Sequence, residues 1–204
     1  MIAIIDYRAG NLKSVQRALK HLGLACRITD SAQEILAAER VIFPGVGAAG
    51  QAMETIRAHG LNEAIHAVIE QGTPFMGICL GTQIILEKSE EDGGTDCLGV
   101  IPGTVRRFAE MGLKIPHMGW NSLSPRTNHP LLAGVNPQAQ FYFVHSYYPD
   151  PREADKIAAT TTYGITFASV LASGNVFATQ FHPEKSGEPG LKILENFSRW
   201  DGRG

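Results

Sequence analysis

Four short apolar runs, each followed by a stretch of helical periodicity, fill the first 88 residues and leave few folds open. "IAIID" (2–6), "ACRIT" (25–29), "RVIFPGVG" (40–47) and "PFMGI" (74–78) have the length and β-branched content of buried strands. After the first run, "NLKSVQRALKHLG" puts Leu12, Val15, Leu19 and Leu22 on one helical face and stops at Gly23. "SAQEIL" opens on a capping box, Ser31 to Glu34. Two helical stretches, 51–59 and 61–71, are divided by Gly60, and another is expected over 80–88. This alternation predicts an α/β fold of three layers, with a mostly parallel central sheet and helices on both faces.

Beyond residue 88 the texture changes. "SEEDGGTD" (89–96) reads as an exposed loop, and aromatic and β-branched segments follow it. "VRRFA", "QFYFVHSYY", "IAATTTY", "ITFASVLASG" and "NVFATQF" read as short strands, with a hairpin-type turn at "SGN" (173–175). A last helix, about 189–199, begins near Pro189 and carries Leu191, Leu194 and Phe197 on one side. No linker separates the halves. The expectation is one domain over 1–204, with an antiparallel extension in its C-terminal half; 204 residues suffice for a substantial core.

Charge narrows the partners. Eighteen basic residues against 20 acidic ones give no electrostatic reason to expect nucleic acid or an anionic membrane. No apolar run reaches the roughly 18 residues of a membrane span. The start, "MIAIIDYRAG", lacks the basic region and cleavage site of a signal peptide. Three cysteines, Cys26, Cys79 and Cys97, with no CxxC pair argue against a disulfide framework and a structural zinc site. A reducing, cytoplasmic setting is expected, without metal.

One cysteine stands apart. Gly77-Ile78-Cys79-Leu80-Gly81 has the G-x-nucleophile-x-G form, with a predicted strand before it and a helix after it. A thiol there sits at a helix start, where backbone N–H groups favour a thiolate. The N–H of Leu80 is placed to hold an oxyanion. From this window alone, a buried core thiol is as good a reading.

A thiolate needs a base, and the chain has seven histidines. His21, His59 and His66 lie in helical patterns, and His129 precedes a proline in a polar loop. His117, His145 and His182 remain. His182 ends the strand "NVFATQF" and is followed by Pro183 and Glu184. In an extended segment, residues i and i+2 project to one side, so Glu184 could orient the imidazole as a triad requires. A surface turn with an incidental acid remains open. Pro44-Gly45-Val46-Gly47 closes the third strand on the edge where such sheets bind ligands. It lacks the Lys-Ser/Thr of a phosphate loop but suits a second oxyanion donor.

Together these stretches resemble the class I glutamine amidotransferases. "IDYRAGNLKSV" (5–15), "FPGVG" (43–47), "GICLGTQ" (77–83), "PHMGWN" (116–121), "FVHSYY" (143–148) and "QFHPEKSG" (180–187) run in that family's order across nearly the whole chain. "GNLKSV", "PHMGWN" and "HPEKS" point within it to the members that work in histidine biosynthesis. The resemblance implies hydrolysis of glutamine to glutamate and ammonia through a γ-glutamyl thioester, with no cofactor. It implies Cys79 as nucleophile, His182 as base, Glu184 as orienter, and an oxyanion hole on Leu80, Val46 and Gly47. Glutamine would meet Gln83, Glu91, Ser146 and Tyr147; for Glu91, a solvated loop acid stays open.

The resemblance also implies a partner: a separate (β/α)8 cyclase that receives the ammonia in a heterodimer. Such a barrel needs about 250 residues of its own. Sealed transfer makes chemical sense, because ammonia is mostly protonated near neutral pH and ammonium has no lone pair. Asn11, Lys13, Ser14, Trp120, Tyr142 and Lys185 match the family's interface. Two other readings remain: the glutaminase of another synthase, such as anthranilate synthase, or a silent regulatory module. The presence of Cys79, His182 and Glu184 weighs against the second.

Overall fold

The inner strands of the first half have almost no polar face, because both faces of their sheet are covered, while the edge strand keeps Arg27 exposed. In the computed structural model, which describes residues 1–8 and 11–203, β1 (Ile2–Ile5), β2 (Cys26–Thr29), β3 (Arg40–Gly45) and β4 (Phe75–Cys79) pair in parallel. Ala9 and Gly10, within the stretch 5–15 noted above, and Gly204 lie outside the described residues. Alternate residues serve different cores. Ala3, Ile5, Val41, Phe43 and Phe75 pack into one; Ile2, Ile4, Ile42, Met76 and Ile78 pack into the other. A slip of one residue would exchange the two sets, so the register is strongly fixed.

Helices fill both faces. α1 (Leu12–His21) covers one side with Leu12, Val15, Ala18 and Leu19. α2 (Ala32–Leu36), α3 (Ala49–Ala58) and α4 (Leu61–Glu70) cover the other with Ile35, Met53, Ile56, Leu61 and Ile65. Gly60 divides α3 from α4 at φ 64°, as expected. Ser31 accepts from the Glu34 N–H at 3.4 Å, but the Glu34 carboxylate pairs with Arg27 at 2.7 Å, so only half the capping box forms.

The segment after Cys79 departs from expectation. The helix predicted over 80–88 is one turn, α5 (Leu80–Ile84), and the chain then extends into β5 (Leu86–Ser89). The predicted loop 89–96 holds a short turn, Glu91–Gly93, and β6 (Thr95–Asp96), which pairs with β5. β7 (Ile101–Arg107), β8 (His117–Ser122), β9 (Ser124–Pro125), β10 (Gln140–His145), β11 (Tyr147–Pro151), β12 (Ile157–Tyr163), β13 (Ile165–Ser173) and β14 (Val176–Thr179) follow. "QFYFVHSYY" is thus two strands, broken at Ser146. The closing helix, α6 (Gly187–Arg199), starts before Pro189 and buries Ile193, Leu194 and Phe197, while Leu191 is only partly buried.

The main sheet has the order β2-β1-β3-β4-β14-β13-β12-β9. The expected hairpin forms: Gly174 takes φ 55° at the first position of the two-residue loop between β13 and β14. β14, read as part of the antiparallel extension, also pairs in parallel with β4 and joins the two halves of the sheet. β11, β7, β5 and β6 make a second sheet, and β8 pairs with β10 as a ribbon. Among the described residues, no helix is long and apolar enough to cross a membrane.

Candidate active site

Cys79 ends β4 and starts α5 at φ 55°, ψ −106°, a backbone region that costs a non-glycine residue roughly 1–3 kcal/mol. The flanking glycines permit the turn. A Cβ at Gly81 would stand 2.0 Å from the Phe43 carbonyl oxygen, and one at Gly77 would stand 2.9 Å from the Gly81 carbonyl oxygen. Those approaches are why the G-x-C-x-G spacing is required.

β4 and β14 bring the distant halves of the sequence together. Thr179 lies opposite Ile78, so His182 emerges three residues beyond β14 at the same edge as Cys79. His182 has the extended backbone expected before proline, at φ −100°, ψ 97°. Residues 183–185 then form a tight turn, not a continued strand, and it is this turn that folds Glu184 back. The Glu184 Oε1 accepts from His182 Nδ1 at 2.8 Å, with both side chains buried. That bond fixes the tautomer in the neutral imidazole and leaves Nε2 for the thiol.

His182 Nε2 is buried with no partner in hydrogen-bond geometry among the described residues. Burial disfavours the His182 cation, but the Cys79 sulfur and the Glu184 carboxylate outweigh it and push the pKa up to about 9. The imidazolium is therefore the main form at neutral pH, suited to giving a proton to a leaving group.

Further groups surround the pair. Asn11 Nδ2 donates to Glu184 Oε1 at 2.5 Å. Gln180 Nε2 lies 3.8 Å from Cys79 Sγ, and the Val144 carbonyl lies 4.0 Å from it. Sequence reading did not single out Gln180; its position two residues before His182 in "QFHPE" was the available signal. Cys26 and Cys97 are elsewhere, beside the carbonyls of Gln16 and Thr95.

A cavity of about 380 Å³ opens over Cys79, lined among others by Val46, Gly47, Leu80 and His182. All four residues expected to meet glutamine, Gln83, Glu91, Ser146 and Tyr147, line it too. Both hydrogens of Gln83 Nε2 are spent, on the Tyr147 carbonyl at 2.8 Å and Gln180 Oε1 at 3.0 Å, leaving its Oε1 to meet a ligand. The Ser146 carbonyl accepts from the Phe108 N–H at 3.1 Å. Glu91 is not a solvated loop acid: its carboxylate accepts from the Ala49 N–H at 2.7 Å, at the start of α3. Burial raises its pKa, partly offset by that hydrogen bond.

Of the two histidines passed over as bases, His145 lines the cavity and His117 is hydrogen-bonded to His145. His145 Nδ1 donates to the Tyr147 carbonyl at 2.8 Å, so its neutral Nε2 must accept, and it does so from His117 Nδ1 at 2.9 Å. His117 Nε2 in turn accepts from Asn121 Nδ2 at 3.3 Å. Burial pushes His117 down to about 4 and His145 to about 3, which keeps both neutral.

Of the residues expected at an interface, Asn11 and Tyr142 lie beside the His182–Glu184 pair. Trp120 and Tyr142 face each other across β8 and β10, with ring centroids 6.0 Å apart, and Lys185 Nζ lies 5.9 Å over the Tyr142 ring. Trp120 is 54% exposed, unusual for so large an apolar group. Lys13 is exposed in the first turn of α1, and Ser14 lines a hollow that reaches Glu184. Asn11 differs from the rest, since its side chain turns inward to Glu184.

Comparison with known proteins places these features in context. The sequence pattern of the glutamine amidotransferase class-I family matches residues 3–199. The imidazole glycerol phosphate synthase subunit HisH of Desulfovibrio desulfuricans is 50% identical over 204 residues, spanning 97% of this chain and 93% of the relative. The subunit of the same name from Pseudomonas syringae is 47% identical over 209 residues, spanning 99% and 98%. Among solved structures, a glutamine amidotransferase matches with a TM-score of 0.74 at 20% identity, covering 97% of this chain and all of the other. The PurLQS structure from Thermotoga maritima matches at 0.75 and 18% identity, covering 97% of each chain.

Proposed function

The chain belongs to the class I glutamine amidotransferase family, and from that premise we propose that it works as the glutaminase subunit of an imidazole glycerol phosphate synthase, with Cys79, His182 and Glu184 as its triad. The observation that carries the chemistry is the meeting of Cys79 with the His182–Glu184 pair at the ends of two adjacent strands. The relatives cited carry the name of this synthase, which disfavours anthranilate synthase as the assembly served.

The reaction follows from the groups in place. The Cys79 thiolate attacks the side-chain amide carbon of glutamine, and the carbonyl oxygen takes the negative charge. The N–H groups of Leu80 and the Val46–Gly47 turn receive that oxyanion. His182 protonates the amide nitrogen, the C–N bond breaks, and ammonia leaves a γ-glutamyl thioester on Cys79. Water, losing a proton to His182, then attacks the thioester, releases glutamate and restores the thiolate–imidazolium pair. Glu184 keeps His182 oriented and offsets its charge. Gln83, Glu91 and the Ser146–Tyr147 backbone hold the substrate.

Residues 1–204 act as one catalytic domain, and its partner is a separate (β/α)8 cyclase that takes the ammonia without exposing it to water. Trp120, Tyr142 and Lys185, clustered beside His182, with Asn11, Lys13 and Ser14, form the docking face. A reducing cytoplasm suits the free thiol. The test is glutamate release with and without the cyclase subunit and its nucleotide ligand. Stimulated turnover that vanishes in Cys79→Ala supports the reading; unchanged turnover in that variant sinks the nucleophile assignment.

A further inference from the structure

Gln180 is wholly buried, yet its amide reaches two groups that the reaction needs. Its Nε2 donates to Cys79 Sγ at 3.8 Å, within reach for an acceptor as large as sulfur, and its Oε1 accepts from Gln83 Nε2 at 3.0 Å. The backbone there is held on two sides. The Gln180 N–H donates to the Ser169 carbonyl at 2.9 Å, and Thr82 in α5 donates to the carbonyl of Thr179, the residue before it, at 2.6 Å. Burying an amide costs free energy unless its polar atoms are well partnered, and a neutral thiol is a weak acceptor. The partner that suits this N–H is a thiolate.

Which end of that amide faces the sulfur is set elsewhere. The Tyr147 carbonyl can only accept, and it does so from His145 Nδ1 and from Gln83 Nε2, both at 2.8 Å. The NH2 end of Gln83 is thereby fixed, and its second hydrogen requires an acceptor. Gln180 supplies its oxygen there, so its own NH2 end is left for Cys79. A flip of either amide would set like groups against each other. The same arrangement keeps Gln83 Oε1 for the substrate.

We propose that Gln180 is a further catalytic residue, whose N–H holds the Cys79 thiolate while its carbonyl oxygen fixes the Gln83 amide that meets glutamine. The inference rests on the glutaminase reading above. Its use is greatest in hydrolysis of the thioester. There His182 faces the water and takes its proton, the water oxygen bonds to the acyl carbon, and the C–S bond breaks with its electron pair going to sulfur. Gln180 is the donor that stays on that sulfur throughout, since it exchanges no proton. The Val144 carbonyl, 4.0 Å from Sγ, can accept from the thiol but offers nothing to the thiolate. The charge on sulfur therefore falls to Gln180 and His182.

The test is Gln180→Met in the complex with the cyclase, a change that keeps the side chain's length and removes both contacts. At saturating partner, kcat should fall about tenfold or more, the worth of a hydrogen bond to a charged group. KM for glutamine should rise severalfold, because Gln83 loses its anchor. The pH midpoint for alkylation of Cys79 by iodoacetamide, followed on the Cys79 peptide by mass spectrometry, should move up by about one pH unit. Loss of a merely structural amide would leave that midpoint in place. Gln180→Glu separates the two contacts, since its carboxylate still accepts from Gln83 but turns an oxygen toward the sulfur. At pH 8 its KM should stay within about twofold of the parent's, while kcat falls at least as far as in the Met variant. An unmoved alkylation midpoint in Gln180→Met overturns the proposal, as does parental kcat in Gln180→Glu. Should Gln180→Met fail to fold, Gln180→Glu carries the same alkylation comparison. If the parent with its partner releases no glutamate, the glutaminase reading itself has failed, a result distinct from these.

Discussion

The Asn11 amide donates to the Glu184 carboxylate at 2.5 Å, although 173 residues separate them. The same carboxylate oxygen accepts from His182, so the start of α1 helps hold the orienter of the proposed base. A hydrogen bond to a charged group contributes about 1.5–3 kcal/mol. Asn11→Ala should lower the partner-saturated kcat about tenfold and leave KM for glutamine within about twofold. Asn11→Asp should be worse, because a second carboxylate would face Glu184. Steady-state kinetics at saturating partner, with the partner's Kd measured alongside, separates this effect from weakened docking.

Gly81→Ala tests the elbow. The added Cβ would meet the Phe43 carbonyl at 2.0 Å, and backbone on both sides leaves nothing flexible to yield. Destabilisation of about 3 kcal/mol or more is expected, at the upper end of overpacking costs. The midpoint of urea unfolding measures it; an unchanged midpoint would mean that α5 can shift away from β3.

Stability should fall on both sides of neutrality. His117 and His129, held at about 4 by burial, and His145, held at about 3, stay unprotonated in the fold while the unfolded chain takes up their protons below about pH 6.5. Stability is therefore lost as pH falls from about 6.5 toward 4. His182 has the opposite sign. Its value near 9 contributes stability that is fully present below about pH 6.5 and disappears as pH rises through 9. Urea midpoints at pH 5, 7 and 9.5 should show the maximum in the middle. In Cys79→Ala the alkaline decline should shrink, since the sulfur helps raise His182.

Trp120→Ala should leave the fold intact and weaken partner binding on the order of 30-fold, as loss of an exposed aromatic anchor does. Calorimetric titration with the cyclase measures it, and an unchanged Kd removes Trp120 from the docking face.

Of the four parallel strands, β1, β3 and β4 were legible as almost uninterrupted apolar runs, the mark of a strand covered on both faces, and β2, with Arg27 exposed, by its place between two helical stretches. Leu86–Ser89 was not, since its four residues continue the helical spacing of 80–84 without a breaker. β8 hides for another reason: "HMGWNS" exposes Met118 and Trp120, so its alternation runs against the usual sense of inside and outside. The hairpin before β14 could be read from its glycine, whereas the parallel pairing with β4 has no local signal. The same division holds at the site. Cys79 and His182–Glu184 are short motifs with local reasons for their residues. The grips of Gln180 on Cys79 and of Asn11 on Glu184 join residues far apart in the chain, and a single side-chain hydrogen bond leaves no period in a sequence.

The placement of β14 sets a timetable. β4 has its second neighbour only when residues 176–179 have been made, so a growing chain carries an open strand edge through most of its synthesis. The thiol and its base meet at that same late event. A polypeptide emerging from the ribosome therefore holds Cys79 without its base until that stretch arrives, and the closing of the sheet and the arming of the thiol are one step.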